Sequence, residues 1–488
     1  MTTVSYLGLL RLVMPEAIVV IAALCVLSVD LMFLRASELR LRVSVGAMLS
    51  LAGCAAAVAW ILHTPQTANV LDGMLVLNPL AQRVQIALLL LTMLTVLIFI
   101  GSTFTQHVSE YLALILLATV STMFLVSTQD LLVIFLSLEL LSLSLYILTA
   151  FNKRSGQSAE AALKYFLFGG MSAAFLLFGF SLLYGWSNST NLTRIAGSIH
   201  GPHLDPLLIV AIVMTVVGVG FKVAAVPFHF WAPDVYQGAP APSAAFIASG
   251  SKVAGFFIFY QLMAVGLAGA AGSAVWHGYV SGWVPVIAIV AVLSMVLGNL
   301  VAIRQTSVRR LLAYSAIAHA GYMLLGIVAH TGQSFAALLY YAITYALTVL
   351  GAFGVVALVE ETGGDSFSDF AGLSRRAPVP SFCMLIFMLS LAGIPPLAGF
   401  FGKFYLFSAV LTSTPGTLGL LWLVVLAIAM SAVSLYYYLK VLKCIYVASP
   451  PAGAGPIGVS VLRQVVLCLI ALSVVLLGCA PNLLLRWL

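Results

Sequence analysis

Four lysines, Lys164, Lys222, Lys252 and Lys403, and one glutamate, Glu139, stand inside long runs of apolar residues. A charged side chain at the centre of a membrane helix costs roughly 2.5 to 3.5 kcal/mol even on the lenient insertion scale, so function is the first explanation for residues placed there. Burial disfavours the ammonium form of a lysine and a nearby carboxylate favours it again, which makes a Glu/Lys pair a device for changing proton affinity. Glu139 with Lys222 is the expected pair, because either one alone would be an uncompensated buried charge. Lys164 has a competing explanation, since a lysine only a few residues into its helix can snorkel to the interface. His319, in Ala316-Ile317-Ala318-His319-Ala320-Gly321-Tyr322, falls between Lys252 and Lys403 in chain order. Neutral imidazole both accepts and donates a proton, so His319 reads as a relay, with a satisfied core histidine as the alternative.

The elements that must hold these groups are membrane helices. With 488 residues, 62% hydrophobic and 7% charged, the chain has too little polar surface to cover a soluble globule. That excludes a soluble enzyme, a nucleic-acid binder and a disordered scaffold. Apolar runs long enough to cross the bilayer recur about fourteen times. Glu139 falls in predicted helix 5 (131–151), Lys164 in helix 6 (161–184), Lys222 in helix 7 (207–231), Lys252 in helix 8 (241–264), His319 in helix 10 (311–330) and Lys403 in helix 12 (380–412). Helices 7 and 12 also carry Pro227 and the pair Pro395-Pro396. Proline removes an amide donor and clashes with the preceding turn, so both helices should be broken near mid-membrane rather than merely kinked. Broken helices at that depth are tolerated where they line a protein-enclosed cavity, and a pair of them in corresponding positions is the mark of internal repeats. The expected fold is an all-α polytopic membrane protein with two inverted five-helix repeats, helices 4–8 (111–264) and 9–13 (283–447). Helices 1–3 (1–110) precede them and helix 14 (461–480) follows.

Charge placement gives the orientation. Thirteen of the 21 Lys and Arg residues cluster at odd-numbered connections, among them Arg35, Arg40 and Arg42, Arg304, Arg309 and Arg310, and Arg463. Positive charge collects on the cytoplasmic side, which puts both termini on the periplasmic side of a bacterial inner membrane. The six cysteines form no CxxC pair, so an iron–sulfur or zinc site in this chain is not expected, and they read as small buried core residues.

Four stretches carry a resemblance. They are Leu138-Glu139-Leu140-Leu141-Ser142-Leu143-Ser144-Leu145-Tyr146-Ile147-Leu148, Ala162-Leu163-Lys164-Tyr165-Phe166-Leu167-Phe168-Gly169, the run from Phe221 to Gly238 (FKVAAVPFHFWAPDVYQG) and the run from Gly393 to Phe407 (GIPPLAGFFGKFYLF). Together the chain resembles, over essentially its whole length, the antiporter-like membrane subunits of respiratory complex I. A lysine rather than a glutamate at 403, and no room after helix 14 for a long lateral extension, favour the subunit N branch. The resemblance implies a proton-translocation axis of Glu139, Lys222, Lys252 and Lys403, with Lys164 and His319 in support. It implies assembly with antiporter-like paralogues and small membrane subunits in the lipid bilayer, and no nucleic acid. NADH, FMN, iron–sulfur clusters and quinone would all reside in partner subunits, with none held by this chain. A stand-alone or Mrp-type cation/proton antiporter subunit is the alternative; a structural spacer would have no need of intramembrane lysines.

Overall fold

The computed structural model describes residues 6–200, 204–414, 418–450, 453 and 455–488. Among them, twelve helices are long and apolar enough to cross a membrane. In chain order they include α1 (Met14–Val29, continued by a π-helical turn to Leu34), α2 (Leu39–His63), α3 (Pro79–Phe99), α4 (Val108–Val126), α5 (Leu131–Thr149) and α6 (Gly156–Ser187). Predicted helix 7 is two pieces, α7a (Pro206–Lys222) and α7b (Trp231–Gly238). Then follow α8 (Ala241–Gly266), α9 (Trp283–Ile303), α10 (Val308–Ala329) and α11 (Gly332–Glu360). Predicted helix 12 is likewise two pieces, α12a (Pro378–Ala392) and α12b (Ala398–Thr412), before α13 (Leu421–Tyr446) and α14 (Val461–Cys479). Sheet is confined, among the described residues, to two short antiparallel hairpins, Ala68–Val70 with Leu75–Leu77 and Ser273–Val275 with Gly278–Val280.

Polar caps set the helix starts. Asn78, Asp130, Ser155, Asp205, Ser307 and Ser460 each accept a backbone N–H of the first turn, and Thr331 with Ser334 forms a reciprocal capping box. Several of these caps move boundaries from those the hydropathy implied. Ser155 starts α6 at Gly156 rather than 161, and Ser307 starts α10 at Val308 rather than 311. Arg309 and Arg310, assigned by charge to a connection, are therefore in a helical first turn.

The breaks come before the prolines. α7a ends at Lys222, five residues short of Pro227, and the freed donor of Val226 goes to Ser294 Oγ at 2.9 Å while Trp231 Nε1 donates to the Phe221 carbonyl at 3.0 Å. α12a ends at Ala392 on Gly393, whose φ of 85° lies in the left-handed region open to glycine. Gly399 N then donates to Ser390 Oγ, and a Cβ at Gly399 would lie 1.9 Å from the Ser390 carbonyl. No side chain larger than hydrogen fits there.

The centre of the bundle is formed by α8, α10 and α11, which are almost wholly enclosed, while α1, α2, α6, α13 and α14 keep broad apolar outer faces. The core charges are thus carried by the innermost helices or aimed at them. The expectation that the cysteines are core residues holds for Cys54 and Cys383 only; Cys25, Cys468 and Cys479 are exposed on the outside. An apolar outer surface accepts a thiol as readily as a core does.

Candidate functional site

α5 presents Glu139, half-buried, and Ser142 one turn later. Lys222, the last residue of α7a and buried, donates through Nζ to Ser142 Oγ at 3.2 Å. Glu139 and Lys222 are close enough for each charge to act on the other, but they form no ion pair within 4.0 Å. The expected direct pair is therefore a near approach, with a serine hydroxyl on the lysine. The stem of Lys222 lies against α8: a Cβ at Gly255 would sit 3.7 Å from Lys222 Cγ. Gly255 is one helical turn from Lys252.

From Lys252 onward the groups converge on one face of α10. Lys252 Nζ donates to the Ala316 carbonyl at 2.6 Å and lies 5.6 Å from the Tyr345 ring. His319, one turn further, contacts Tyr341 Oη through Nδ1 at 2.7 Å and Tyr438 Oη through Nε2 at 3.1 Å, and Tyr438 in turn reaches Ser315 Oγ at 2.5 Å. Tyr322, another turn on, has Lys403 Nζ 5.2 Å from its ring centre. Positions 316, 319 and 322 share one helical stripe and span roughly 9 Å of axis. The charges of both Lys252 and Lys403 act on the His319 ring. Lys403, buried, donates to the Leu391 and Ala392 carbonyls at 3.1 Å each and to Ser431 Oγ at 2.8 Å.

The structure thus brings together Glu139, Lys222, Lys252, His319 and Lys403, with Pro227 and Pro395 at the two breaks. It places Lys164 elsewhere. Lys164 is half-buried and ion-paired to Glu160 at 2.7 Å and to Asp234 of α7b at 2.8 Å. Starting α6 at Gly156 rather than 161 puts Glu160 one turn before it on the same helix, while Asp234 reaches it from α7b. Sequence reasoning missed Tyr341, Tyr438 and Ser431, since tyrosine and serine are common in membrane helices and carry no charge to mark them. It also missed Glu16, which is buried and accepts from Gln85 Nε2 at 2.7 Å. Among the described residues no cluster of three His, Cys, Asp or Glu side chains is placed to hold a metal ion.

Residues 128–431 match the family described as NADH:quinone oxidoreductase/Mrp antiporter, TM. Over the full length of both chains the sequence is 57% identical to NADH-quinone oxidoreductase subunit N 2 of Acidobacterium capsulatum. It is 42% identical to NADH-quinone oxidoreductase subunit N of Desulforamulus reducens, over 76% of this chain and 75% of the relative. A chain in the structure of respiratory complex I from Thermus thermophilus with bound aureothin superposes with a TM-score of 0.78 and 33% identity, covering 97% of this chain and 98% of that one. The match extends through both breaks and the whole buried line, and the chain belongs to the NADH:quinone oxidoreductase/Mrp antiporter membrane family, on its NADH-quinone oxidoreductase subunit N branch.

Proposed function

We propose that this chain is a proton-translocating membrane subunit of an NADH:quinone oxidoreductase, driven by electron transfer from NADH to quinone in partner subunits. The observation that carries the reading is the α10 stripe, which joins Lys252, His319 and Lys403, with Lys222 packed against Gly255 of α8 one helical turn from Lys252 and Glu139 near Lys222. Glu139 moving toward or away from Lys222 changes the proton affinity of the lysine, and the proton passes by Lys252 and His319 toward Lys403. Lys164 supports the line from outside it through its pair with α7b. Moving one charge against 100 mV costs about 2.3 kcal/mol, within reach of the change in interaction when one charged partner approaches or leaves.

The same reading makes α4–α8 and α9–α13 inverted repeats. In support, the start of α5 bridges to the chain after α6 (Asp130 with Asn191) as the start of α10 bridges to the chain after α11 (Ser307 with Ser366). The chain sits in a bacterial inner membrane with both termini periplasmic, beside antiporter-like and small membrane subunits. In the assembled complex, Glu139→Gln and Lys222→Ala are each expected to lower coupled quinone reduction and proton pumping by roughly tenfold, the effect of about 1.4 kcal/mol on the coupled step. Quinone reduction and proton pumping at the parent's rates in both variants would overturn the proposal. Purification without NADH-oxidising partners would instead favour an Mrp-type antiporter.

A further inference from the structure

Arg309 and Arg310 occupy the first turn of α10, where the helix dipole is least favourable to cations, so some contact outside the helix has to hold them. That contact is α7b. Arg309 is buried, and all of its guanidinium nitrogens are engaged: Nε donates to the Tyr236 carbonyl at 2.8 Å, Nη2 to the Ala239 carbonyl, and Nη1 to Glu360 Oε1 at 2.7 Å. Tyr236 O and Ala239 O belong to the C-terminal end of α7b, where a helix has carbonyls without intrahelical partners. Arg310 Nη1 takes Asp234 Oδ1 at 2.6 Å and Gln237 Oε1 at 3.2 Å, and Lys164 holds the other Asp234 oxygen at 2.8 Å. One turn of α10 therefore grips four acceptors, three on the eight-residue helix α7b and one on its C-cap.

The grip falls at a junction. Upstream of α7b, across the break, is Lys222; downstream, after Pro240, α8 begins and carries Lys252. Further along, α10 itself carries the Ala316 carbonyl that receives Lys252, and His319. Arg309 also ties the junction to the end of α11, which carries Tyr341. Exposed ion pairs contribute little by themselves, but a buried guanidinium on helix-end carbonyls leaves those carbonyls unpaired when it is removed.

We propose that Arg309 and Arg310 are positioning residues that make α7b, α8 and α10 move as one body, so that a change at the Lys222 break is delivered to Lys252 and His319. This rests on the translocation reading and names the coupling within it. The test is a double-mutant cycle in the complete membrane complex, with Arg310→Ala, Asp234→Asn and both together, reading the proton-to-electron ratio per assembled complex. Each single variant is expected to lower the ratio of pumped protons by about threefold, the double no further than either single, and Arg310→Lys to recover most of the loss. Arg309→Ala is expected to show the same defect, and if it fails to assemble the Arg310 cycle still decides. A normal ratio per complex in Arg310→Ala, with only the amount of complex reduced, would overturn the proposal. So would losses that simply multiply in the double variant. Lys222→Ala run alongside separates the two levels: normal pumping in it overturns the translocation reading and this inference together, whereas defective Lys222→Ala beside normal Arg310→Ala overturns the inference alone.

Discussion

The two broken helices hold their lysines in opposite ways. Lys222 closes the first piece of its helix, whereas Lys403 stands in the second turn of the second piece and reaches back across the break. Lys222 makes one hydrogen bond, to Ser142, and has an acid nearby but not in contact. Lys403 makes three, two of them to the terminal carbonyls of α12a, which satisfies every N–H of an ammonium group. A lysine with one fixed partner and one charge at a distance responds to the movement of that charge. A lysine saturated by backbone carbonyls at a helix C-terminus, where the helix dipole favours a cation, has its surroundings fixed by the fold. The first break is arranged for change and the second for retention.

The largest effect that would break this contrast is steric. Gly399→Ala places a Cβ against the Ser390 carbonyl, a backbone atom that cannot swing aside, and is expected to prevent stable assembly of the subunit. At the first break, Gly255→Ala would meet Val223 Cγ1 at 3.4 Å and Lys222 Cγ at 3.7 Å, ordinary contact distances, and should assemble normally. Immunoblots of the purified complex for this subunit check both; equal assembly would show that the second break is no tighter than the first.

Truncating the lysines comes next. Lys403→Ala leaves the Leu391 and Ala392 carbonyls buried without that donor, a loss of about 2 to 4 kcal/mol, while Lys222→Ala releases a serine hydroxyl and a half-buried carboxylate that is near but not in contact, and should cost less. Thermal unfolding of the two variant complexes should therefore separate them even though both lose pumping. Equal shifts would remove the distinction between a held and a responsive lysine.

Much of this is legible in the amino-acid sequence. Apolar run lengths dictate the fold class because every backbone polar group in lipid must be satisfied within a helix. Glu139, Lys222, Lys252 and Lys403 announce themselves because an ionisable residue in such a run is costly, and Pro227 and Pro395 because a helix cannot continue through them unchanged. What stayed hidden has the reverse property. Arg309 and Arg310 looked like topology markers, since an arginine at the end of an apolar run is common on the surface and nothing in the chain order reveals that α7b lies beside it. Lys164 looked intramembrane because Asp234, its partner, is seventy residues away. Tyr341 and Tyr438 are invisible as His319 partners because amphipathic aromatics occur throughout membrane helices.

The smallest predicted effect is the most discriminating, because it changes one hydroxyl at each break and leaves both lysines in place. Ser142→Ala removes the one hydrogen bond that Lys222 makes among the described residues, so the ammonium must find Glu139 directly or lose its fixed position, and the proton-to-electron ratio at rate-limiting quinone should fall by about threefold. Ser431→Ala leaves Lys403 on two carbonyls whose position is set by α12a, and the ratio should stay within about 1.5-fold of the parent. If Ser431→Ala were the more damaging, the carbonyls would not be what holds Lys403, and the second break would be as responsive as the first. Placing Ser142→Ala on a Glu139→Gln background adds the decisive comparison. With the distant charge already gone, removing the hydroxyl should have little further effect on coupling, because the group that the hydroxyl keeps at a working distance from Lys222 no longer carries charge.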